Sequence, residues 1–168
     1  LVLSQQACLH LARGDFAAVE STARAALLAT QRSRYPWGGP LIVGARACAA
    51  AQRGAFDEAE LAVATLVTPG AIFDAPAPLI QVVAAAYREL IAALRDPASV
   101  DRPRLGNLLK LVLAAGGDIH LLAPLCALTE AALRAGLPEL CAECERPLQR
   151  AEANGVVLTA GWVQSIPR

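Results

Sequence analysis

Nowhere along this chain do apolar and polar residues alternate in the way a half-buried strand requires. The apolar residues run instead in stretches of helical length, punctuated by short clusters of Gly, Pro and charged residues. The pattern predicts helices over about 2–13, 15–30, 40–53, 56–68, 77–95, 102–115, 119–135 and 138–153, with a ninth starting near Val157. Gly14, Gly54 and Gly136 fall where a left-handed residue would close a helix. Asp57, Asp118 and Pro138 suit the first turn of the next. Most of the prolines lie in the links RSRYPWGGP (32–40), TPGAIFDAPAP (68–78) and RDPASVDRPR (95–104), which therefore join larger units.

Those units repeat. The segment ACLHLARGDFAAVESTARAAL from Ala7 aligns without gaps on ACAAAQRGAFDEAELAVATLV from Ala47. Ala7/Ala47, Cys8/Cys48, Arg13/Arg53, Gly14/Gly54, Phe16/Phe56 and Glu20/Glu60 are identical at an offset of 40. Further turns at Arg95–Pro97 and Arg134–Leu140 put the turn centres near 14, 54, 96 and 136, a period of 40 to 42. The chain thus divides into helical hairpins at about 1–31, 39–68, 77–115 and 118–154 within a single domain spanning 1–168, followed by the start of a further helix at 157–168.

Composition narrows the class. Of 168 residues, 37 are Ala and 26 are Leu, while Phe, Tyr and Trp total seven, which favours helices over sheets. Fifteen basic residues balance fifteen acidic ones, so no charge excess drives binding to nucleic acid or to a membrane surface. A mean hydropathy of +0.42 argues against disorder. No apolar run reaches membrane-spanning length. Five cysteines, an odd number, fit reduced thiols in the cytosol better than a disulfide framework. The sequence has no Met and ends within an apparent helix start, so it reads as a piece of a longer protein.

The repeat itself carries a resemblance. The order small-x6-G-x-F-x2-A, seen as Ala47, Gly54, Phe56 and Ala59, resembles the tetratricopeptide repeat, in which small residues let two antiparallel helices approach closely. Val19 and Cys141 stand at the small position of the first and fourth units, Pro138 replaces the aromatic of the fourth, and the third has no turn glycine. The period is longer than the ~34 residues of the standard repeat. Long Ala/Arg-rich repeats of this kind, and the closing GVVLTAGWVQSIPR, are similar to those that follow the ATPase module in bacterial nucleotide-cyclase/ATPase fusions and LuxR-type regulators. The resemblance implies an all-α, right-handed solenoid of four hairpins whose first helices line a concave face. On that face it places Ser4, Cys8, Leu11, Gly44, Cys48, Ala51, Gln52, Cys126, Glu130 and Leu133.

Candidate chemistry is sparse. Cys141 and Cys144 form C-x-x-C, and with Cys126 or His120 they would make a small zinc or redox module; core packing of small thiols is the competing reading. Cys8 and Cys48 share a repeat position on adjacent helices, which pack ~8–10 Å apart, too far for a disulfide. His10 and His120 have no nucleophile or carboxylate at a catalytic spacing. Gly116, Gly117 and Asp118 read as a loop with a helix cap, and no phosphate-binding loop motif occurs. Arg34, Tyr35 and Trp37, in a Pro/Gly loop, have the residue types of a protein-contact hot spot.

The expectation is therefore a non-catalytic interaction or regulatory scaffold of a bacterial signalling or transcription-regulatory protein, in the cytoplasm, without cofactor or metal. Its partner would be a protein segment or neighbouring domain lying on Ser4, Cys8, Leu11, Gly44, Cys48, Gln52 and Glu130, with no direct nucleic-acid or membrane contact. Leu1, Val2 and Leu3 at one end, and Val156, Val157, Leu158, Trp162 and Ile166 at the other, further suggest homo-oligomers.

Overall fold

A computed structural model of the chain describes residues 2–33, 38–72, 77–115 and 121–153. Among them are eight α-helices and no strand. These are α1 (Val2–Ala12), α2 (Phe16–Ser33), α3 (Gly39–Gln52), α4 (Phe56–Val67), α5 (Pro78–Arg95), α6 (Arg102–Ala114), α7 (Leu122–Arg134) and α8 (Pro138–Ala153), with a short 3₁₀ turn at Pro97–Ser99. The fold is all-α, and each helix lies within three residues of its predicted span. The ninth helix, Asp118 and the Arg34–Tyr35–Trp37 loop lie outside the described residues.

Local chemistry explains the boundaries. Asp15 Oδ1 accepts from the backbone N–H of Ala18 at 3.1 Å and Asp101 Oδ1 from that of Arg104 at 3.1 Å, which caps α2 and α6. Asp57 and Glu58 place negative charge in the first turn of α4.

Three of the turns are built alike. The N–H groups of Gly14, Gly54 and Gly136 donate to the carbonyls of Leu11, Ala51 and Leu133, and those of Asp15, Ala55 and Leu137 reach back to His10, Ala50 and Ala132. This pair of bonds is the Schellman closure, with glycine at φ between 67° and 78°. Nothing lies within 4 Å of where a Cβ would sit on these glycines, so their backbone conformation, not space, demands the residue. Gly54→Ala is accordingly expected to cost about 1–2 kcal/mol in urea unfolding, from the left-handed backbone alone. The link after α5 differs. Asp96 takes an extended backbone and caps the 3₁₀ turn by accepting from Ala98 N–H at 3.0 Å.

Packing follows chain order. Each substantial contact between described helices joins elements no more than two apart: α1 with α2 and α3, α3 with α4 and α5, α5 with α6 and α7, and α7 with α8. α2 also packs on α3, α4 on α5, α6 on α7, and α6 more lightly on α8. Val19 and Ala59, the small-position residues of the first two units, are both fully buried. The repeated Glu20 and Glu60 play matching parts, each reaching from its hairpin's second helix to an arginine on the following helix. Glu20 Oε2 lies 2.8 Å from Arg46 Nε, and Glu60 Oε2 lies 3.7 Å from Arg88 Nε. Arg95 adds a link back to α4, lying 5.0 Å over the Phe56 ring and 3.4 Å from Asp57.

Candidate partner groove

The side chains expected on an open concave face are placed otherwise. Ser4, Cys8, Leu11, Gly44, Cys48 and Glu130 are buried, and of the seven only Gln52 is exposed. Ala51 and Cys126 are buried too, and Leu133 is half-buried. Ala, Gly and Cys make α3 apolar nearly all round, and Ile42–Ala45 and Ala47–Ala51 are covered. In α7 every residue from Pro124 to Ala132 is covered. These side chains fill the interior and present no area to a partner. Glu130 is held there by Arg134, whose Nε donates to Oε1 at 2.6 Å one turn along the helix.

At the centre of this layer is Tyr87 of α5, 1 % exposed, its phenol lying where a Cβ on Gly44 of α3 would project. Burial pushes the Tyr87 hydroxyl well above its ordinary value, and the thiols of Cys48, Cys8 and Cys126 act in the same direction. All five cysteines are reduced. Burial likewise raises Cys126 to about 12 and Cys144 to about 11, and it pushes Cys48 well above its ordinary value. Thiols held protonated in this way are poor metal ligands and nucleophiles. Cys144 Sγ donates to the Leu140 carbonyl at 3.3 Å and Cys141 Sγ to that of Thr129 at 3.8 Å. Among the described residues no three His, Cys, Asp or Glu side chains converge as a metal set, so Cys126, Cys141 and Cys144 do not form one.

An open surface is found elsewhere. A groove of about 970 Å³ runs between α2 and α4 with α3 as its floor. Glu20, Ser21 and Arg24 form one wall and Leu61 and Thr65 the other, while Arg46, Ala50 and Arg53 lie beneath and Phe16 closes one side. The repeat shapes it, because Ser21 and Leu61 are equivalent positions on the two helices that face each other. Leu61 is 70 % exposed, a large apolar side chain left open to solvent. Three guanidinium groups meet two carboxylates here, leaving one positive charge in excess. Glu20 binds Arg46 closely and Arg24 only at 3.8 Å, and Arg53 lies 3.4 Å from Glu58. The Arg24 side chain, 75 % exposed, is the cation least committed to the fold.

Comparison with protein-family models, curated proteins and solved structures finds no match.

Neither Tyr87 nor the Glu89–Arg104 pair on α5 and α6 stood out in the sequence. Glu89 is buried and accepts from Arg104 Nε at 2.7 Å, while Arg104 itself remains exposed. Burial raises the Glu89 carboxyl above its ordinary value of 4.5, and Arg104 only partly offsets this. The folded state thus holds the proton more tightly than the unfolded chain does. Stability should be fullest below the unfolded value, fall as pH rises from about 4.5 through the raised folded value, and then level off. Glu89→Gln keeps an acceptor for Arg104, and urea unfolding between acid and neutral pH should show this decline flattened.

Among the described residues no helix is long and apolar enough to cross a membrane.

Proposed function

We propose that this chain is a non-catalytic, tetratricopeptide-like interaction module. Its four hairpins, α1–α2, α3–α4, α5–α6 and α7–α8, stack as a right-handed solenoid, and its partner docks between α2 and α4. Three features support the repeat reading: the shared Schellman turns, the matched Glu20–Arg46 and Glu60–Arg88 pairs, and principal helix contacts that, among the described residues, join elements no more than two apart. The docking site is carried by one observation. Leu61 is left 70 % exposed inside a groove whose other accessible groups are guanidinium-rich. An exposed aliphatic anchor flanked by arginines suits a protein segment that brings one apolar side chain and adjacent carboxylates.

The setting we propose, from the family resemblance, is a regulatory scaffold of a cytoplasmic bacterial signalling or transcription protein. The second reading, a zinc or redox module, is disfavoured by the buried, protonated thiols.

Selection of a displayed random peptide library on the full chain tests the site. Recovered peptides should combine an aliphatic residue with Asp or Glu. Their binding should be lost in Leu61→Asp and in Arg24→Glu but kept in Leu111→Asp, a control at another exposed leucine. Failure to recover such peptides, or equal binding to all three variants, would overturn the assignment.

A further inference from the structure

We infer, resting on the groove reading above, that Arg53 sets the specificity of the groove: it receives a side-chain carboxylate of the bound protein segment, at the place on α2 that Ala17 leaves without one. The fold supplies its own template. Where α4 meets α5, Glu60 pairs with Arg88 at 3.7 Å. One turn back along α4 and two turns on along α5, Asp57 pairs with Arg95 at 3.4 Å, and Arg95 lies 5.0 Å over the ring of Phe56. Where α2 meets α3, Glu20 pairs with Arg46 at 2.8 Å. The same two steps, three residues back from Glu20 and seven on from Arg46, arrive at Ala17 and Arg53. The basic half of the second pair is thus repeated, and the acidic half is missing. Ala17 and Arg53 are both exposed and both line the groove.

Arg53 is held instead from its own hairpin. Its Nε donates to the Ala49 carbonyl at 3.2 Å and its Nη2 to Glu58 at 3.4 Å, and the Glu58 side chain is 69 % exposed. So exposed an ion pair contributes little to the fold. A guanidinium carries five donors in a planar fork, so Nη1 can meet a second carboxylate while both of these bonds persist. Charge complementarity favours that addition. The groove sets three guanidinium groups against the carboxylates of Glu20 and Glu58, and one incoming Asp or Glu side chain neutralises it. Ala17 lies in the first turn of α2 beside Phe16, which fixes the acidic residue at that end of the groove, while Leu61 meets the aliphatic one.

Binding of the full chain to an array of synthetic, end-capped peptides tests this, each peptide holding one leucine flanked by Asp, Asn or Ala. At one flanking position the wild-type chain should prefer Asp to Asn by roughly fivefold, the yield of a single well-formed ion pair. Arg53→Gln should erase the preference at that position and keep the requirement for leucine. Ala17→Asp should do the same, because its carboxylate would stand toward Arg53 as Asp57 stands toward Arg95. Ala17→Asn, of the same size but uncharged, should leave the preference in place. An acid in the first turn of α2 suits the helix dipole, so Ala17→Asp should unfold in urea no earlier than wild type, which separates lost binding from lost fold. Wild-type binding that ignores the leucine, or binding that survives Leu61→Asp, would overturn the groove reading and this inference with it. Leucine-dependent binding with no preference for Asp, or a preference unchanged in Arg53→Gln or in Ala17→Asp, would overturn this inference alone.

Discussion

Tyr87→Ala should destabilise the fold by about 3–5 kcal/mol, the usual cost of truncating a fully buried aromatic side chain. Tyr87 is among the largest fully buried side chains and is bounded by the backbone of Gly44 and the thiol-bearing layer of α1, α3 and α7. Its removal opens a cavity at the junction of α3, α5 and α7, the helices through which the two halves of the molecule meet. Equilibrium urea denaturation followed by circular dichroism gives the value. Tyr87→Phe keeps the ring and should recover most of the loss.

The reciprocal change adds one methyl group. In Gly44→Ala the new Cβ would fall within the phenol of Tyr87, so α3 and α5 must separate or the ring must leave its rotamer, at about 1–3 kcal/mol or more. The same substitution in a Tyr87→Ala background should be nearly free, since the cavity accepts the methyl. A double-mutant cycle should therefore return a coupling of about 1–3 kcal/mol, as expected for residues in direct contact. Additive effects would show that the two helices do not meet at this point.

The success of the helix boundaries and the failure of the expected binding face have one physical origin. Boundaries are written in short-range chemistry. A glycine that must adopt positive φ at 14, 54 and 136 identifies itself without knowledge of the rest of the fold. Exposure is not local. The family resemblance placed Ser4, Cys8, Gly44, Cys48 and Glu130 on a common concave face, but whether such a face meets solvent depends on how many layers lie over it. The available signal was the composition of α3, GPLIVGARACAAAQ, which has almost no polar side to offer water. Gln52, at the end of that helix, kept its exposure.

The groove was illegible for a related reason. Arg24, Arg46, Arg53 and Leu61 come from three helices and the turn after α3, with no spacing that marks them as a set. Tyr87 was hidden because its close partner, Gly44, lies on another helix, and no periodicity within α5 reveals that contact.

Packing confined to near neighbours in the chain also bears on how this molecule comes apart. Most native contacts close only short loops, so little chain entropy is lost before each begins to stabilise the next, and assembly can be fast for a chain of this size. Among the described residues the principal contacts join elements no more than two apart, so disruption can start at a terminal hairpin and advance inward one helix pair at a time. Amide protons of α3 and α5, which contact helices on both sides, would then exchange with solvent more slowly than those of α1 and α8. Protection would fall off along the sequence from the middle outwards.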